Sequence, residues 1–111
     1  MEIKIIKDPI SKKELVDFAK EQFGSLIKVV VDVNQGIIAV GGEMHADEEA
    51  VLIEQEDSRR EYTWGINLYP EKSGEELIEF DSIINIKPSY GNRSREVENL
   101  ETREKIKIII N

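Results

Sequence analysis

Residues 26–40 read LIKVVVDVNQGIIAV, and their reading decides the fold. Valine and isoleucine dominate both halves, and β-branched side chains fit a pleated strand better than a helix. Asn34-Gln35-Gly36 between the halves is a turn. The stretch is therefore a hairpin. One strand runs from Leu26 to Val33, and its return runs from Ile37 to Val40 and on as far as Met44. Side chains of a strand alternate between two faces. Val29, Val31, Val33, Ile38 and Val40 share one face, and Asp32, Ala39, Gly41, Glu43 and His45 share the other.

Outward from the hairpin, Glu2 to Lys7 is a short strand broken by Asp8-Pro9. Ser11 and Glu14 have the spacing of a capping box, in which each side chain satisfies a free amide at a helix start. Leu15, Phe18, Ala19 and Phe23 continue at helical spacing, and Gly24 is a natural stop. After the hairpin, Ala46 to Glu49 reads as a polar turn, Ala50 to Glu54 as a strand and Asp57 to Arg60 as another turn. Tyr62 to Tyr69 alternates, with Trp64 and Ile66 in core phase and Thr63, Gly65 and Asn67 opposite. Leu77 to Lys87 reads as a long strand that adds Phe80 and Ile84 to the core face and Asp81 and Asn85 to the other. Leu100 to Ile110 reads as a helix capped by Asn99, with Glu101 and Lys105 paired one turn apart.

Consecutive strands with short turns are antiparallel. The expected fold class is α+β, a single domain over residues 1–111. It has two layers: a mainly antiparallel sheet of about five or six strands, and one helix from the N-terminal region with one at the C-terminus.

Composition narrows the function classes. A 40% apolar and 34% charged chain is a soluble globular one. No apolar run approaches a membrane span, and the N-terminus lacks the apolar segment of a signal peptide, so the expected location is cytoplasmic, with no membrane partner. The chain has no cysteine, which removes disulfides, thiol nucleophiles and thiolate metal sites. A net charge of −8 repels a polyanion, so nucleic acid is not an expected partner.

The second sheet face holds the candidate chemistry. Ala39, Gly41 and Gly65 have almost no side chain, which leaves a shallow depression edged by Glu43, His45, Asn67, Asp81 and Asn85. Three readings compete for it: a solvent-facing surface, a partner subunit or a small polar ligand. His45 is the only histidine, and a carboxylate two residues away on the same strand face could orient it as a general base. Zinc sites usually need more histidine or cysteine, and the calcium-loop pattern is absent, so no metal is expected. No cofactor motif appears either: Gly41-Gly42 lacks the lysine and hydroxyl of a phosphate loop. A second cluster, Ser89-Tyr90-Gly91-Asn92-Arg93-Ser94-Arg95, places two arginines in one loop of an acidic chain. The guanidinium fork suits carboxylate or phosphate, although pairing with the chain's own acids is the plainer role.

The stretches GGEMHADEEAVLIEQ (41–55), WGINLYP (64–70) and IEFDSIINIKPSYGNRSREV (78–97) resemble a family of small single-domain prokaryotic proteins catalogued as a domain of unknown function. The resemblance covers nearly the whole chain and implies a free-standing bacterial or archaeal protein. It transfers no activity, cofactor or catalytic residue. The expectation is a binding or interaction module that forms a homo-oligomer through the open sheet face, where Val30 and Ile83 would stand. Its rival is a small-anion-binding protein or enzyme with a site joining Glu43, His45, Asn67 and Asn85 to Asn92, Arg93 and Arg95.

Overall fold

The computed structural model describes residues 2–110. In chain order it contains β1 (Lys4–Ile6), α1 (Lys12–Gln22), β2 (Ile27–Asp32), β3 (Ile37–Val40), α2 (His45–Glu56), β4 (Thr63–Leu68), β5 (Ile78–Glu79) and α3 (Leu100–Ile110), with short 3-10 turns between them. The sheet order is β1-β3-β2-β4-β5, and every neighbouring pair is antiparallel. The fold is α+β, with the helices of the N-terminal region and the C-terminus in the expected places.

The hairpin holds because its turn is built by Asp32. That buried carboxylate accepts hydrogen bonds from the amides of Asn34 and Gln35, the Ser58 hydroxyl and the Gln35 side chain. The strand phases follow the alternation. Val29, Val31, Ile38, Val40, Trp64 and Ile66 form the first core with Leu15 and Ala19 of α1 and Ile106 of α3. Ser11 caps α1 through the Glu14 amide at 3.1 Å, and Asn99 caps α3 through the Thr102 amide at 3.0 Å.

The second face departs from the expected two layers. Residues 45–56, read as a turn and a strand, form α2, which packs over that face. Val30, Ile37 and Ala39 meet Leu52 of α2 and Ile84 in a second core. Ala, Glu, Gln and Leu are good helix formers. What hid the helix is its inward stripe, because the residues buried at helical spacing are His45, Glu48, Glu49 and Leu52. Three of these four are polar, so the apolar period of 3.6 residues is missing. The open face through which copies of the chain were to associate is therefore filled by the chain itself. Val30, expected there in apolar isolation, is fully buried.

The long strand over 77–87 is also corrected. Only Ile78 and Glu79 pair with β4, opposite Leu68 and Asn67. Beyond them the chain turns, and side chains take over the edge of β4. The Asn85 carboxamide accepts from the Gly65 amide at 2.8 Å and donates to the Gly65 carbonyl at 2.9 Å, the two bonds a partner strand would have made. The Lys87 ammonium donates to the carbonyls of Arg60 and Thr63. An unpaired strand edge is a template for aggregation, and this segment closes it without a regular strand.

Candidate functional site

The residues nominated from sequence divide into structural joints and surface groups. His45 is the first residue of α2 and turns inward onto β4. Its Nε2 lies 2.8 Å from the Ile66 carbonyl oxygen. A carbonyl only accepts, so Nε2 carries the proton and Nδ1 keeps its lone pair. Burial holds the imidazole pKa below its ordinary 6.5, with the Ile66 carbonyl opposing. Gly65 makes this approach possible, because a Cβ there would lie 2.6 Å from Ser82 and 3.0 Å from His45.

The rest of the nominated set does not form one site. Glu43 is exposed and precedes α2, so it is not the strand neighbour of His45 that an i,i+2 spacing implied. Asn67 donates to Glu79 at 2.9 Å, and its buried Oδ1 has no partner among the described residues. Asn85 is locked to Gly65 and also donates to the Arg95 carbonyl. Asn92 donates to the carbonyls of Asn85, Ser94 and Glu96 and accepts from the Glu98 amide. Asn85 and Asn92 are joints of the 81–98 segment, with their polar groups used internally. Arg95 ion-pairs with Asp81 at 2.7 Å, and both charges act on His45. Arg93 contributes its backbone amide to Glu98, and its guanidinium charge also acts on that carboxylate. The structure thus brings the charge of Arg95 to bear on His45, while Arg93 is tied through its backbone amide to Glu98.

Of the buried ionisable groups that were not foreseen, Glu48 and Lys87 carry the largest shifts among the described residues. Glu48 is fully buried under Gly42, whose amide donates to Oε2 at 3.0 Å, while Oε1 has no partner among the described residues. Burial pushes this carboxyl up to about 9. A side chain on Gly42 would strike Glu48 Cγ at 2.7 Å, so this glycine makes room for that acid. Lys87 is buried over the Trp64 ring, 4.2 Å from its centroid, and burial pushes its ammonium down to about 8 against the opposing charge of Glu49.

Free polar groups converge elsewhere. A cleft of about 440 Å³ lies between the start of β4, the turn at residues 88–91 and the first turns of α3. Tyr62, Trp64 and Tyr90 line it, with Glu61, Asn92, Asn99, Thr102 and Lys105. Three observations build it. The Lys87–Asn92 backbone bridge and Gly91, at φ +84, turn the chain so that Tyr90 stands at the tip, 54% exposed. The expected Glu101–Lys105 pair does not form, and Lys105 has no partner among the described residues. The hydroxyls of Tyr62 and Tyr90 and the Trp64 indole N–H are likewise without partners there. A second cleft of about 370 Å³, beside Ile10, Leu15, Leu68 and the Ile108–Ile110 end of α3, is mostly apolar. Of the residues nominated from sequence, only Asn92 borders the aromatic cleft. Its signal in the sequence was the pair Trp64 and Tyr62 in one strand, which core phase explained too readily.

Among the described residues no group of acids and histidines is placed to hold a metal ion, and no helix is long and apolar enough to cross a membrane. Searches of curated proteins and of solved structures find no match. One family model matches residues 4–111, nearly the whole chain, and on that match the chain belongs to the family described as protein of unknown function (DUF5674).

Proposed function

We propose that the protein is a small-molecule-binding module whose ligand occupies the cleft at Tyr62, Trp64 and Tyr90. One observation carries this reading: aromatic surface and unpartnered polar groups meet in one concavity of about 440 Å³, within the size range of ligand sites. The anion-binding role expected of the 92–95 loop moves to this neighbouring surface, while His45, Asn67 and Asn85 serve the packing of α2 and the 81–98 segment. An acidic, cysteine-free chain of this kind suits the cytoplasm of a prokaryotic cell. A ligand that binds only the native state raises apparent stability. A thermal-shift screen of small polar and aromatic compounds against the protein and its Tyr90→Ala variant tests the reading. Tyr90 is exposed, so the variant should melt within about 1 °C of the parent and lose the ligand-induced shift. A shift that survives Tyr90→Ala unchanged would place the ligand elsewhere.

Self-association is a second reading. Met44 and Ile83 stand exposed on the side of the molecule that α2 covers. It predicts a dimer mass by light scattering that Ile83→Glu reduces to the monomer.

A further inference from the structure

We infer that the cleft takes a planar aromatic ring carrying an anionic group, such as a nucleoside monophosphate or an aromatic carboxylate. This deepens the preceding proposal and rests on it. The ring follows from the surfaces on offer. Tyr90 presents a broad exposed face at the tip of its turn, with half-buried Tyr62 beside the same cleft. Aromatic faces stack on planar rings of many kinds. Trp64 contributes differently. It is only 6% exposed, and the Lys87 ammonium sits over its ring. Among the described residues, the buried side-chain polar atoms without partners are those of Gln22, Glu48 and Asn67, so the unpartnered Trp64 N–H belongs to the part of the residue that meets solvent.

The anion follows from the balance of donors and acceptors. The Trp64 N–H and the Lys105 ammonium can only donate, and the two tyrosine hydroxyls can donate as well. Asn99 has committed its Oδ1 to the Thr102 amide, which leaves its NH₂ free to donate. Against these five groups stands one lining carboxylate, Glu61. A donor-rich wall suits a ligand rich in acceptor oxygens. Lys105 is a cation without an acidic partner among the described residues of a chain that carries 23 acids, so its charge is available to such a ligand. A neutral sugar carries no charge to answer the Lys105 ammonium, and each of its hydroxyls brings a donor that this donor-rich wall does not need.

The test is isothermal titration at low salt with adenosine 5′-monophosphate, 4-hydroxybenzoate, adenosine, inorganic phosphate and glucose, on the parent protein, Tyr90→Ala and Lys105→Glu. At least one of the two aromatic anions should bind at least ten-fold more tightly than adenosine, phosphate or glucose, and which of them does so identifies the source of the ring. Tyr90→Ala should weaken that binding by at least ten-fold. Lys105→Glu should weaken it similarly while leaving adenosine unchanged. Phosphate binding as tightly as the aromatic anions would overturn the ring, and glucose or adenosine binding best would overturn the anion. In both cases a Tyr90→Ala effect would leave the cleft standing as a binding site. No heat with any probe, together with no Tyr90-dependent stabilisation in the thermal screen, would remove both the ligand class and the binding reading.

Discussion

Glu48 shows how one residue can shape a helix, a loop and the pH response together. Its carboxyl lies on the inner stripe of α2 and takes a hydrogen bond from Gly42. Because the folded pKa is raised to about 9 from an ordinary 4.5, the folded state holds this proton more tightly than the unfolded chain does. The stability so contributed is complete below about pH 4.5 and is lost as pH rises towards 9. Glutamine keeps the acceptor for Gly42 and cannot ionise. Glu48→Gln should therefore gain stability relative to the parent between pH 5 and 8, by roughly 2–4 kcal/mol at about 1.4 kcal/mol per pKa unit. Paired urea titrations of the two proteins at both pH values check this, and comparing them cancels the opposite trend of His45, whose pKa is lowered. A constant difference across the range would mean that Glu48 is charged in the fold. The sequence offered GGEMHADEE as a glycine-acid cluster, and its partners explain the arrangement: Gly41 lets the Glu2 backbone pass where a Cβ would stand, and Gly42 seats Glu48. Neither relation is local, so no spacing rule reveals it.

At the level of elements, the hairpin and the two capped helices were legible because each announces itself within a few residues: β-branched runs, a turn, a Ser or Asn at a helix start. The second face was not, for two physical reasons. α2 buries acids and a histidine where a helix normally buries apolar side chains, and the edge of β4 is closed by the side chains of Asn85 and Lys87 rather than by backbone. A strand pattern over 77–87 was present in the apolar alternation, but Ser82 and Asn85 bend that segment into a turn, with the Ser82 hydroxyl accepting from the Ile84 amide at 3.3 Å. Asn85→Ala would leave the Gly65 amide and carbonyl buried and unpaired. It should cost about 2–6 kcal/mol, at roughly 1–3 kcal/mol for each of the two orphaned buried groups. Chemical denaturation measures that loss, and faster exchange of the Gly65 amide should accompany it. A change below about 0.5 kcal/mol would show that the carboxamide does not close the strand edge.

At the scale of the whole molecule, the sheet is sandwiched. α1 and α3 cover one face, and α2 with the 81–95 segment covers the other, each over its own apolar cluster. The candidate site read from the sequence was drawn on a face assumed to be open; once α2 closed it, His45, Asn67 and Asn85 became internal joints, while Glu43, Arg93 and Arg95 stayed at the surface. An accessible aromatic cleft lies instead where β4 meets the 88–91 turn and α3, which follow β4 only after a long stretch of chain. Sequence spacing could not assemble it, although Tyr62, Trp64 and Tyr90 were each visible as residues. The proposed role of the protein rests on that junction, and the chain's single tryptophan reports on it. The most direct measurement is therefore the ¹H–¹⁵N indole resonance of Trp64 during titration with the aromatic anions. Occupation of the cleft should move this signal together with the amides of Tyr62, Gly91 and Asn99. An indole signal that stays fixed while the amides around His45 and Asn67 move would contradict the account and return the site to the sheet face.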